Sequence, residues 1–377
     1  MASELPVRLP WNGRAVPHGT IEVNHACNMS CDACYKRRSD VQKPLDQIKR
    51  EIDQLLALRR IDGVTLAGGE PTLHPQLAEV IAYIRDRGAR PLLLSNGSLL
   101  TEQTMAAYGR AGLKRIFLHI DRHQHGRPDI DMRTADETAL NALRARYVAL
   151  GQQHGVEVSL AITLYRDELH AMPALIDFCQ RTPGINSVLI TDFSPLLNIA
   201  TGPELAAQAV DNVDVHAFMA DQLGLRPAWY VPSTLDDARL CWLLYISAYT
   251  RDAQGRCAQF NFDSRHGAGI RALPRLARLR YRRYPFDQTL STLDLCLFIA
   301  LYTLGAGSLR VLRSSLQFAA RAARKRDLHV LRLAFQQGPR RLADGRYETC
   351  RDCPDATIRN GKLVNLCLVD QVELAVP

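Results

Sequence analysis

Apolar residues in the first half of the chain recur with two alternating periods. Short apolar runs at 20–23, 63–67, 91–95, 115–120, 156–164 and 187–191 are bounded by Gly, Asn or Pro, which predicts strands. Between them, Leu45, Ile48, Ile52, Leu55, Leu56 and Leu58 fall at helical spacing, and so do Leu77, Val80, Ile81 and Ile84. Further helices are predicted over about 102–111, 134–154 and 170–180. Six strand–helix units without a hairpin signal predict an α/β fold with a parallel sheet. Right-handed crossovers would curl that sheet into a partial (β/α)6 TIM-like barrel.

The second half reads differently. Gly202-Pro203, Pro227 and Pro232 interrupt the alternation. Helices are predicted at about 203–223 and 235–246, then a hairpin over 249–262 turning near 252–255. The predicted organisation is an extension at 1–17, a barrel at 18–200, connecting elements at 201–264, a basic amphipathic helical segment at 265–346 and a small Cys-rich subdomain at 347–377.

Charge sharpens the fourth of these. The 377-residue chain carries a net +8, yet residues 265–346 alone hold 17 Arg or Lys against four acids, so the remainder is mildly acidic. Within that segment residues 295–307 are uncharged, too few for the ~20 that a membrane-spanning helix needs. An apolar block between arginine-rich helices fits an anionic lipid surface. A helical cap with a solvated basic face is the plainer alternative. Nucleic acid ranks below lipid, because aliphatic residues outnumber the aromatics that base stacking would favour. Hydrophobic content of 47% excludes a disordered chain. Residues 1–17 have no long apolar core, so a reducing, cytoplasmic setting is expected, with peripheral attachment to the inner membrane face as the option that the basic segment opens.

Candidate chemistry begins with Cys27, Cys31 and Cys34, a C-x3-C-x2-C run directly after the first strand. So short a loop cannot pair all three as disulfides. Three thiolates converging from one loop suit an iron–sulfur cluster, with zinc or plain packing as competing readings. The second strand ends in Gly68-Gly69-Glu70-Pro71. Glycines there allow close backbone approach by a ligand. Together the two motifs resemble those of the radical S-adenosylmethionine (radical SAM) family, over about residues 18–195.

The resemblance implies a (β/α)6 partial barrel in which Cys27, Cys31 and Cys34 hold a [4Fe-4S] cluster, leaving one iron to chelate SAM. It implies that Gly68, Gly69 and Glu70 bind the SAM amino group, with Pro71 beside them. It also implies cleavage of SAM to a 5′-deoxyadenosyl radical, hydrogen abstraction from an unactivated C–H, and a flavodoxin- or ferredoxin-type reductant. The chain departs from the family in one respect. The aromatic often found before the third cysteine is absent, Ala33 standing there, and Tyr35 follows instead.

The strands' C-terminal ends supply further candidates. Ser95 and Asn96 offer a hydroxyl and an amide, although Asn96-Gly97 also reads as a turn. His119 and Asp121 face one side of their strand and either contact SAM or satisfy each other. Thr163 ends the fifth strand, and His123 and His125 read as surface or substrate-gating residues.

At the C-terminus Cys350, Cys353 and Cys367 form C-x2-C-x13-C around an Asn360-Gly361 turn. That pattern points to a metal site, zinc or iron–sulfur. The family resemblance favours an auxiliary [4Fe-4S] cluster, with Cys241 as first candidate for a fourth ligand and Cys257 as second. Cys179 and Cys296 read as packing residues. The leading expectation is an enzyme acting on a lipid or lipid-linked substrate at the membrane surface. A peptide or protein maturase and an RNA-modifying enzyme are the alternatives.

Overall fold

The computed structural model describes residues 5–36, 39–195, 202–252, 254–284, 291–325 and 327–372. The first half contains β1 (Val7–Arg8), β2 (His18–Asn24), β3 (Ser30–Cys31), α1 (Leu45–Leu58), β4 (Gly63–Gly68), α2 (Leu77–Asp86), β5 (Arg90–Ser95), α3 (Glu102–Ala111), β6 (Arg115–His119), β7 (Gln124–His125), α4 (Glu137–Gln153), β8 (Glu157–Leu164), α5 (Met172–Arg181) and β9 (Ser187–Asp192). β2, β4, β5, β6, β8 and β9 pair in parallel in that order. They are the six strands that the periodicity predicts. Each helix has a local cause. α1 buries Ile48, Ile52 and Leu55 on one face. Thr101 and Thr104 form a reciprocal cap on α3, and Asp136 caps α4 by accepting from the Ala139 N–H.

The second half contains α6 (Pro203–Ala206), α7 (Asn212–Leu223), β10 (Trp229–Pro232), β11 (Leu240–Arg251), β12 (Cys257–Phe262), α8 (Gly267–Tyr281), α9 (Thr292–Ala306), α10 (Leu309–Lys325) and β13 (His329–Gln336). It ends with β14 (Arg340–Arg341), β15 (Tyr347–Glu348), β16 (Ala356–Arg359), β17 (Lys362–Asn365) and α11 (Val369–Val372). β13 adds in parallel to β9, β11 runs antiparallel beside it, and β10 and β1 follow. The sheet order is β1-β10-β11-β13-β9-β8-β6-β5-β4-β2, a mostly parallel, open path.

Two expectations fail here. Residues 235–246 are not a helix: they run into β11, which extends over 240–251. Residues 240–246 are all apolar, with both faces turned to protein, so no period distinguishes strand from helix. Leu243, Tyr245 and Tyr249 enter the outer core, while Trp242, Leu244 and Ile246 face inward. The basic segment is likewise not helical throughout, since β13 lies inside it and joins the main sheet. The hairpin near 252–255 is present as β11–β12.

The inner face of the sheet is not filled with side chains. Thr65, Leu94, Phe117, Ala161, Leu189, Ala334 and Leu244 face a largely apolar cavity of about 380 Å³. Leu273 and Ala277 of α8 and Leu295 and Phe298 of α9 close it on one side. Phe262 pairs with Ile246 and meets Tyr302 of α9 edge-on, its ring centroid 5.2 Å away. Ile246 is level with Arg332 and Ser187, so α9 sits near the N-terminal end of β9 and the middle of β13.

α8 and α9 cross at Gly269 and Gly305. A Cβ on Gly305 would stand 2.6 Å from the Gly269 Cα. Gly305→Ala is therefore expected to cost about 1–3 kcal/mol in denaturant unfolding by overpacking the crossing. Leu304→Ala, at an exposed neighbour, should be close to neutral.

Candidate functional site

The cysteine loop is built on backbone pairing. Ser30 and Cys31 pair with His125 and Gln124 as a two-stranded ribbon. The Asp32 N–H donates to the His123 carbonyl at 3.0 Å. The Asp32 carboxylate lies 3.2 Å from His123 Nδ1 and 2.9 Å from His125 Nε2. His123 also lies against the Tyr165 ring, centroids 3.7 Å apart. Both histidines therefore fasten the loop; His125 is exposed, as the surface reading expects, and His123 is half-buried.

The Gly-Gly-Glu segment is the loop's other support. A Cβ on Gly68 would fall 2.3 Å from the Asn24 carbonyl oxygen, and one on Gly69 would fall 2.2 Å from that of Ala26. These glycines admit the cysteine loop's own backbone. The Glu70 N–H donates to the Ala26 carbonyl at 2.8 Å, and Asn24 Nδ2 donates to the Glu70 carbonyl at 2.8 Å. Pro71 follows as the buried first residue of a short 3-10 turn.

Glu70 is buried, and burial pushes its carboxyl up while its hydrogen bonds oppose that shift. The carboxylate accepts from the Thr72 N–H at 3.0 Å, Ser95 Oγ at 2.8 Å and the Asn96 N–H at 2.8 Å, and also from the Thr72 hydroxyl. Ser95 Oγ in turn accepts from the Gly97 N–H, and Asn96 Nδ2 donates to Asn28 Oδ1 at 3.0 Å. The structure brings Glu70, Ser95 and Asn96 together but engages their side chains with one another. They shape the rim more than they reach into it.

His119, Thr163, Tyr35 and Ala33 line the cavity. His119 Nε2 lies 2.6 Å from Asp121 Oδ2, and Asp121 also accepts from the His123 and Thr163 N–H groups. Burial works against the Asp121 charge, but His119 beside it and the His123 N–H hold its carboxyl well below the usual range. Of the two readings of this pair, mutual satisfaction is what the side chains show, with the imidazole presented to the cavity. The Tyr35 hydroxyl is buried with no hydrogen-bond partner among the described residues. Its charged neighbours are Glu22, Cys34, Asp355 and Asp370, so of the three cysteines it lies by Cys34.

Cys27, Cys31 and Cys34 are each part-exposed, and the Cys34 N–H donates to the Cys31 carbonyl at 3.2 Å. The Cys31 thiol is pushed up by burial, by Asp121 and by Cys34 and Cys27, so the three sulfurs lie within reach of one another's charge.

A second group forms at the C-terminus. The Cys350 thiol is pushed well above its ordinary value by hydrogen bonds shared with Cys241 and Cys353 and by burial. Burial, Cys353, Asp355 and Cys241 do the same to Cys367. Cys241 thus joins Cys350, Cys353 and Cys367, which flank the β16–β17 hairpin. Cys257 does not: it pairs with Arg251, ten residues along β11 from Cys241, about 33 Å away. Cys179 is buried as expected, but Cys296 is exposed on α9. Among the described residues no three His, Cys, Asp or Glu side chains are drawn in around a single ion.

Sequence reasoning missed the residues that tie the two groups together. Lys36 lies 2.9 Å from Glu22 and 2.8 Å from Asp370, and Arg359 also pairs with Glu22. His18 meets Asp355 at 2.6 Å, and Arg59 donates to the Cys353 carbonyl at 2.8 Å. Four of these five contacts, all but Lys36–Glu22, join residues near the start of the chain to residues near its end, so no local motif marks them. Asn28 and Asp32, by contrast, stand inside the cysteine loop and were open to notice.

Asp121→Asn is expected to cost about 2–3 kcal/mol near pH 7, where the wild-type carboxylate is ionised and hydrogen-bonded. Because the folded state depresses this carboxyl, its contribution is present above about pH 4 and is lost as pH falls below that. Unfolding titrations should therefore show the gap between variant and wild type narrowing in acid.

Residues 21–179 match the model of the Radical SAM superfamily. The chain is 26% identical over 195 residues to Fe-coproporphyrin III synthase of Methanosarcina barkeri, covering 49% of this chain and 47% of that protein. It is 31% identical over 157 residues to an S-adenosylmethionine-dependent nucleotide dehydratase of a Thermoplasmatales archaeon, covering 39% and 52%. The chain spans about half the length of these relatives. Among solved structures, Streptococcus suis SuiB bound to its precursor peptide SuiA aligns over 56% of this chain and 47% of that one, with 16% identity and a TM-score of 0.43. Residues 21–179 therefore carry a radical SAM domain, the domain of a superfamily whose enzymes use a [4Fe-4S] cluster and S-adenosylmethionine.

Proposed function

We propose that this protein cleaves SAM reductively and abstracts hydrogen from an apolar substrate, a lipid or lipid-linked molecule met at a membrane surface. Cys27, Cys31 and Cys34 would hold the cluster. Bound there, cluster and SAM together supply a 5′-deoxyadenosyl radical that takes a hydrogen atom from an unactivated C–H. The chain's own part is placement and exclusion of water. Gly68 to Pro71 keep the cysteine loop in register, and Glu70 holds the Ser95-Asn96 turn against it. Tyr35 offers an unpaired hydroxyl, and Asp121 fixes the imidazole of His119 toward the cavity beside Thr163. A flavodoxin- or ferredoxin-type reductant would deliver the electron.

The observation that carries the substrate reading is the cavity itself. Its lining is apolar from Phe117 and Leu94 to Leu273 and Phe298, and α9, one of the two helices that close it, is apolar on its outer face as well. On α9, Leu293, Cys296, Leu297, Ala300 and Leu304 form one exposed face without a charge, and Leu293 and Leu304 are each 78% exposed. Leu309, Leu312 and Leu316 on α10 and Leu279 on α8 continue it, with exposed Arg310, Arg313, Arg321 and Arg324 alongside. Such a surface fits an anionic bilayer. No helix among the described residues is long and apolar enough to cross a membrane.

Cys350, Cys353, Cys367 and Cys241 would hold an auxiliary [4Fe-4S] cluster. Cys367 also lines the cavity, so that group would stand beside the substrate. The same cysteine group suits a maturase of peptides or proteins. A peptide, however, brings backbone amides that need polar partners, and this lining supplies few.

Anaerobic reconstitution should give about eight irons and eight sulfides per chain, falling to about four in Cys241→Ala and unchanged in Cys257→Ala. Zinc in place of iron would sink the two-cluster reading. A lipid extract should raise 5′-deoxyadenosine release. Leu293→Asp with Leu304→Asp should abolish flotation with anionic vesicles while leaving iron content intact; flotation unaffected by the pair would count against the membrane surface.

A further inference from the structure

A second cavity, of about 730 Å³, opens beside the edge strand β1 and the first turns of α8. Arg8, Arg226, Arg265, Arg271 and Arg275 line it with Ser264, and no Asp or Glu does. Two of these arginines are neutralised at the rim: Arg8 lies 3.5 Å from Asp237, and Arg265 pairs with Asp263. Arg226, Arg271 and Arg275 have no ion pair or hydrogen bond among the described residues.

The carboxylates nearby are Asp237 and Asp263 at the rim and Asp221 near His216. α8 is 15 residues long and begins in the cavity wall at Gly267, where His266 makes no capping hydrogen bond. Its first N–H groups therefore carry partial positive charge. The Arg271 guanidinium lies over that end, 3.0 Å from where a Cβ on Gly267 would stand. His216 forms part of the wall, its Nδ1 buried and without a hydrogen-bond partner.

Three unpaired guanidinium groups gathered in one concavity repel one another, and that cost is offset when an anion enters. Guanidinium forks match the paired oxygens of phosphate, and several forks around one point favour an anion with three or more oxygens over a lone carboxylate. We propose that this cavity is a binding site for a phosphate group. Pro274 lines both this cavity and the apolar one, so a phosphate held here lies just across α8 from the apolar cavity. The group can belong to a soluble phosphoester or to a phospholipid head. The site stands whether or not the substrate is a lipid.

The test is calorimetric titration of the full chain with inorganic pyrophosphate, in parallel with flotation on phosphatidylcholine vesicles with and without phosphatidic acid. Binding to at least one probe is expected to saturate and to weaken about tenfold or more in Arg226→Ala/Arg271→Ala/Arg275→Ala. It should be unchanged in Arg50→Ala/Arg110→Ala/Arg133→Ala, which removes the same charge from exposed positions elsewhere. Lysine at the three cavity positions keeps the charge without the fork and should give intermediate affinity, which guards against loss through misfolding. Saturation by pyrophosphate assigns a soluble phosphoester. Saturation only by vesicles carrying phosphatidic acid assigns a lipid head. Failure of both probes to saturate, or equal weakening in the two alanine triples, overturns the proposal.

Discussion

Glu22 is a fully buried carboxylate on β2, and the charged network that joins the two ends of this chain centres on it. Lys36, two residues beyond the third cysteine of the loop, pairs with it and with Asp370 of α11. Arg359 of β16 pairs with it from the other side and reaches His25 at 3.3 Å. Charges this deeply buried cost several kcal/mol each to dehydrate and are tolerated only when each finds partners. Removing one partner leaves an uncompensated ion, at a cost of about 3–5 kcal/mol. The cysteine loop and the C-terminal hairpin are therefore parts of one assembly.

That constraint explains the position of the apolar cavity. The C-terminal segment is held against the barrel rim, so Leu366, Cys367 and Asp355 enter the cavity wall opposite α8 and α9. The open sheet supplies the remaining walls by strand alternation, each strand turning one set of side chains inward and the other into the outer core. A closed barrel of this size would fill itself with side chains. Here β13 and β11 widen the sheet, and α8 and α9 cover the space that results.

How much of this was legible in the sequence depended on whether the signal was local. The six parallel strands and α1 to α5 were readable because each is half-apolar at its own period, with caps such as Thr101 and Asp136 in place. The three-cysteine loop and the Gly-Gly-Glu segment were readable as spacing. β11 was not, because burial on both faces erases the alternation that separates strand from helix. β13 sat inside a basic stretch whose arginines suggested helix, although Val330, Arg332, Ala334 and Gln336 alternate with Leu331, Leu333 and Phe335. The contacts of Gly68 and Gly69 with Asn24 and Ala26 were hidden for a related reason: a sequence shows that a Cβ is missing, but not which neighbour excludes it. Lys36, Glu22 and Asp370 carry no local pattern and become visible only in three dimensions.

The central claim is that two separate cysteine groups hold two clusters and that only the first meets SAM. Electron paramagnetic resonance of the anaerobically reconstituted, dithionite-reduced protein tests it most directly. The account predicts two overlapping [4Fe-4S]+ signals, one of which shifts on adding SAM, while a Cys27→Ala/Cys31→Ala/Cys34→Ala variant keeps only the signal that does not shift. A single signal indifferent to SAM, or a triple variant that still responds to SAM, would contradict it.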